Sequence, residues 1–176
     1  IMIRKFKEFI PSLGNQVFVD EQATVIGDVS LGDDVSIWPQ SVVRGDINPI
    51  SIGSRTNIQD GSVVHVTHKS EYSPGHECKI GADVTVGHGC IIHACTIEDM
   101  VLIGMGSVLL DGSTIQSNVI IGAKSLVPSG KVLESGYLYI GSPCKKIRPL
   151  KNSEIKFLKY SAEHYVNTKN DFLKFS

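Results

Sequence analysis

An aliphatic residue recurs every six positions along most of this chain. Val19, Val25, Leu31, Ile37 and Val43 form one run, and Ile52, Ile58 and Val64 a second. Ile80, Val86 and Ile92 form a third, and Ile97, Ile103, Leu109, Ile115, Ile121 and Val127 a fourth. Six matches neither the helical period nor the alternation of a half-buried strand. It suits short strands joined by tight turns, each anchor pointing into one narrow core, the signature of a hexapeptide β-helix. A small residue often follows the anchor, as at Gly32, Gly53, Gly81, Gly87, Gly104 and Gly122, and Ser107, Ser113 and Ser125 recur four positions after one. A sandwich of short strands is the competing architecture, but its turn signals come at longer spacing.

The expected fold class is an all-β solenoid, a left-handed parallel β-helix with three hexads per triangular coil. That handedness departs from the right-handed crossover rule. Breaks in the period mark where the coil is interrupted. Three extra residues separate Val43 from Ile52, and one is missing between Ile92 and Ile97. Between Val64 and Ile80 lies "HVTHKSEYSPGHECK", polar and containing Pro74 and Gly75, which reads as a loop leaving the coil. Such loops on rigid scaffolds often carry function. From Asn152 to about Phe172, Ile155, Leu158, Ala162 and Tyr165 follow a helical spacing, with Asn152 or Ser153 as the cap and Pro149 just before. The chain thus divides into a β-helix over residues 1–150 and a C-terminal helix over 151–176. The helix is expected to cover the solenoid's flank or a neighbouring subunit.

The formal net charge of −1 gives no field to draw nucleic acid or anionic lipid. No apolar run is long enough to span a bilayer. The opening "IMIRKFKEFI" lacks the apolar core and cleavage site of a signal peptide, so a cytoplasmic location is expected. Cys78, Cys90, Cys95 and Cys144 form no CxxC pair and are expected as reduced thiols rather than zinc knuckles.

If three hexads make one coil, Val43, Val64, Ile92 and Leu109 are equivalent anchors on one face. The residues after the first three are Arg44, His65 and His93. Stacked coils lie about 4.8 Å apart, so His65 and His93 become neighbours able to share a metal ion. His88 follows an anchor of a different face, so it meets them only across an interface between prisms. A threefold homotrimer supplies that contact, giving sites with His65 and His93 from one chain and His88 from another. Three imidazoles leave an open position for water, as catalytic zinc requires.

"VVRGD" (42–46), "NIQDGSVVH" (57–65), "VTVGHGCIIH" (84–93) and "IGMGS" (103–107) together resemble the γ-class carbonic anhydrases and their carbonic-anhydrase-like relatives. The resemblance covers the repeat region, and "ESGYLYIGSPCKKIRPL" (134–150) is similar to a small bacterial subgroup. It implies reversible hydration of carbon dioxide to bicarbonate by hydroxide generated at zinc, with iron as the other metal the ligands accept. His65, His88 and His93 match the metal ligands, and Gln59 the residue that hydrogen-bonds near the active water. Arg44 and Asp46 match an interface ion pair, and Asp60 a neighbouring polar position. In "HYVN", Tyr165 and Asn167 match pocket residues of the family helix. The chain departs from the best-known catalysts in lacking their acidic loop and glutamates: Ile47 follows Asp46, and His68 stands where a shuttle glutamate would. His68 is the candidate proton shuttle; Glu71 and His76 lie in the same loop. Two alternatives stay open. One is a hexapeptide acyltransferase with an acyl-CoA donor, which shares a "GSP" segment such as Gly141–Pro143. The other is a metal-binding scaffold without catalysis.

Overall fold

In the computed structural model, which describes residues 3–175, the anchors line up into three faces of a parallel coil. The first face stacks Ile3, Val25, Val43, Val64, Ile92, Leu109 and Val127. The second stacks Leu13, Leu31, Ile52, Ile80, Ile97, Ile115 and Leu133. The third stacks Val19, Ile37, Ile58, Val86, Ile103, Ile121 and Tyr139. This is the left-handed parallel β-helix that the repeat predicts. Most anchors are fully buried and meet in one central cluster. Serines at the corners close the backbone's hydrogen bonds: Ser41 Oγ donates to the Gln59 carbonyl at 2.8 Å, and Ser62 Oγ to that of Gly87 at 3.0 Å.

Two strands are longer than a hexad. Thr24–Leu31 and Val42–Ile52 continue around the corner from the first face to the second. Their pairing shifts after Gly27, which faces Gly45, and resumes with Val29 opposite Ile50. Asp46 to Pro49, four residues against the single Asp28, thus hold the three extra residues, bulging beside the first face. The longer interruption is not a free loop. Thr67 pairs with His76 and Ser70 with Ser73 in antiparallel bridges, making a short hairpin.

The hairpin Tyr137–Gly141 and Cys144–Pro149 closes the third face. The helix Asn152–Phe175 then runs back along that same face, three residues beyond the expected end. Its start is capped by Lys151 rather than Asn152 or Ser153: the Lys151 carbonyl accepts from Glu154 and Ile155, and the Lys151 N–H donates to Glu154 Oε2 at 2.8 Å. That is the reciprocal half of a capping box. Leu158 and Ala162 are buried against the coil. Farther on, Trp38 of the third face meets Tyr165 and Phe172 edge-on, with ring centroids 5.5 and 5.2 Å apart. No helix is long and apolar enough to cross a membrane among the described residues.

Candidate metal centre

His65 and His93 each end a three-residue strand, Val63–His65 and Ile91–His93, and are direct partners in the parallel ladder. Because Val64 and Ile92 point inward, strand alternation turns both histidines outward. Nδ1 of His65 lies 3.4 Å from Nε2 of His93. Two nitrogens bound at about 2.0–2.1 Å to one tetrahedral zinc lie about 3.4 Å apart. The separation of the pair therefore suits such an ion.

The outer nitrogens of both rings are held by carboxylates. His65 Nε2 is 3.0 Å from Asp46 Oδ1, and His93 Nδ1 is 2.6 Å from Asp111 Oδ1. Each carboxylate is gripped at its second oxygen too, Asp46 by Arg44 and Asp111 by the Thr67 hydroxyl. Burial pushes both carboxyls up, but the hydrogen bonds outweigh it and hold each below its usual range. Both are therefore ionised at neutral pH and accept the N–H of their imidazole. For neutral imidazoles that fixes the tautomers and leaves two nitrogen lone pairs facing each other across the gap. A cation between them removes the conflict, and carboxylate–histidine pairs of this kind orient metal ligands.

His88 stands on the third face, two residues after the anchor Val86, with Nδ1 2.8 Å from Asp60 Oδ2. Its side chain is 49% exposed. Among the described residues, no group of three or more His, Cys, Asp or Glu side chains is arranged to hold a metal within one chain. The chain carries a two-histidine half-site on one face and a single carboxylate-oriented histidine on another.

Gln59, the residue after Ile58 on the third face, is buried. Its Nε2 donates to Asn57 Oδ1 at 3.1 Å, Asn57 Nδ2 donates to Thr85 Oγ1 at 3.2 Å, and Thr85 meets Ser161 of the helix at 3.0 Å. Gln59 and His88 line one groove of about 250 Å³ with Met105, Phe157 and Ser161. Tyr165 is half-buried against Trp38; burial, then the charge of Asp60, raises its phenol above the usual value. Asn167 is exposed farther along the helix, and no hydrogen bond ties it to the histidines. His68 is exposed and shares a pocket of about 440 Å³ with Asp46 and Asn48, on the outer side of the half-site. Glu71 is exposed at the hairpin's tip, whereas His76 is fixed at its base.

Asp111, Thr67 and Asn57 escape a reading that tracks only the residue after each anchor. The register held a signal for Asp111: Leu109 stacks on Ile92, which puts Leu110 beside His93 and Asp111 one residue beyond it. Thr67 carries none, since its place depends on how the hairpin folds.

A bacterial transferase hexapeptide (six repeats) family model matches residues 11–45 and 94–129. Protein YrdA of Escherichia coli K12 is 56% identical over 173 residues, 98% of this chain and 94% of that one. A carbonic anhydrase of Geobacillus kaustophilus is 41% identical over 165 residues, covering 94% and 87% of the two chains. The chain belongs to the γ-carbonic-anhydrase-like hexapeptide-repeat family. Among solved structures, a hexapeptide transferase family protein from Anaplasma phagocytophilum superimposes with a TM-score of 0.91 at 37% identity, covering 97% of this chain and 98% of that one. Within this family, then, the repeat scaffold is shared by proteins named as carbonic anhydrases and as transferases.

Proposed function

We propose that this protein hydrates carbon dioxide reversibly at metal sites shared between the subunits of a homotrimer. The observation that carries the reading is the His65–His93 pair, held at a ligand spacing by two ionised carboxylates and short of a third ligand. His65 and His93 of one chain, with the partner subunit's His88, would hold zinc, or iron. Such a cation supplies the acidity that turns water into hydroxide near neutral pH. Asp46, Asp111 and Asp60 keep the three imidazoles in fixed tautomers. Gln59, anchored by Asn57, offers a fixed amide beside His88 to orient carbon dioxide or bicarbonate. Tyr165, kept neutral by burial and by Asp60, is a hydrogen-bond donor at the helix side of that wall. His68 faces the pocket that Asp46 borders and takes the departing proton to solvent. A cytoplasmic location belongs to the same reading.

The test is metal analysis together with stopped-flow hydration of carbon dioxide by zinc- and iron-loaded protein. Wild type is expected to hold about one metal per chain, and His88→Ala to lose most of it. Unchanged metal content in His88→Ala would sink the site. Bound metal without hydration would leave a scaffold. A second reading, acyl transfer, draws on the transferase relative and on the partly apolar groove beside His88. It expects an acyl-CoA to raise the thermal midpoint of unfolding.

A further inference from the structure

The two interruptions of the coil meet each other beside the half-site. Asn48, in the bulge, donates through Nδ2 to the Thr67 carbonyl at 2.5 Å. Thr67, at the hairpin's base, donates its hydroxyl to Asp111 Oδ2. Asp111 holds His93, His93 faces His65, and His65 is held by Asp46, two residues before Asn48. The contacts form a closed belt around the histidine pair, completed by the backbone from Asp46 to Asn48.

Thr67 is the link on which this belt turns. A carboxylate held at one oxygen swings about its Cβ–Cγ bond, whose torsion is broad and roughly two-fold. Gripped at both oxygens, it is fixed. Asp46 has Arg44 for its second grip, and Asp111 has Thr67. Arg44 lies within the regular ladder opposite Ile26, whereas Thr67 belongs to the inserted hairpin. The orientation of one histidine is therefore set from outside the repeat.

We propose that Thr67 is a positioning residue: through Asp111 and Asn48 it locks the His65–His93 pair, so that the hairpin over residues 66–77 sets the affinity of the half-site for its metal. This rests on the metal reading above. Replacing the hydroxyl by a methyl, Thr67→Val, preserves shape and strand preference while freeing Asp111. Outer partners of metal ligands typically change affinity by about 10–100-fold. Thr67 acts one bond farther out, so about tenfold weaker binding is expected.

The experiment is competition for zinc against a chromophoric chelator, on full-length protein in its native assembly, with thermal unfolding of the metal-free variants alongside. Thr67→Val is expected to bind zinc about tenfold more weakly, and Thr67→Ser to match wild type. Asn48→Ala is expected to weaken binding too, and the double variant to lose less than the sum, as members of one network do. Thr67→Val binding like wild type, while His93→Ala loses the metal, overturns this inference alone. A loss in Thr67→Val that Thr67→Ser does not restore, or that only follows a fallen melting point, overturns it as well. Wild type that takes up neither zinc nor iron overturns both this inference and the metal reading.

Discussion

Two glycines decide where Asp46 stands. Gly27 and Gly45 face each other where the long strands turn the corner, and a Cβ on Gly45 would come within 2.3 Å of the Asp28 carbonyl oxygen. Gly45→Ala must therefore push the corner open. Overpacking of this kind costs roughly 1–3 kcal/mol. Urea unfolding should register that loss, and the displaced Asp46 should weaken zinc binding in the same variant. Stability falling without any change in zinc affinity would mean that the corner does not place Asp46. At this scale the sequence was legible where a residue's role follows from its position in the repeat. His65 and His93 are found by counting hexads, because register alone stacks them. Thr67 is not, because its partner lies 44 residues away and is met only through a hairpin with no repeat to index it.

Among the elements, the helix was legible in extent but not in attachment. Its apolar spacing predicts a buried stripe, and Leu158 and Ala162 fill it. The charged contacts that pin its two ends are not periodic. At the start, Arg148 and the Lys151 N–H hold the Glu154 carboxyl down to about 2. An unfolded glutamate titrates near 4.3. This contribution is therefore complete above about pH 4.3 and disappears as pH falls through about 2. Glu154→Gln should flatten the pH dependence of the thermal midpoint across that window; an unchanged profile would remove Glu154 from the account. Near the other end, the fully buried Lys169 reaches Asp34 at 2.6 Å. Lys169→Ala removes both the ion pair and a long buried stem, for a cost of roughly 2–4 kcal/mol. Trp38 is the only tryptophan and touches the helix through Tyr165 and Phe172, so its fluorescence reports the docking directly. Emission identical to wild type in Lys169→Ala, with unchanged stability, would contradict the anchoring role.

For the whole molecule, the decisive property is that a triangular prism shows different residues on different faces. A spacing of five between His88 and His93 sends them to different faces of the prism, so one chain alone keeps the two imidazoles apart. The fold was legible because one period runs through nearly all of it; the assembly was not, because nothing in a single chain's repeat states which faces meet. The proposed threefold arrangement is nevertheless open to a test that a single-chain site cannot mimic. His88→Ala removes one chain's donation to its neighbour and leaves its own His65–His93 pair whole; His93→Ala does the reverse. Each variant alone should bind little zinc. Refolded together in equal amounts, they should assemble mixed trimers in which a His88→Ala subunit presents its intact pair to a His93→Ala subunit's intact His88. Random closure of a threefold ring puts that ordered pair at about one interface in four. Zinc content near a quarter of wild type, appearing only after mixing, is the expected result. Content that stays at the level of the separate variants would place all three histidines' duties within one chain, or deny them a common metal, because neither arrangement lets one subunit repair another.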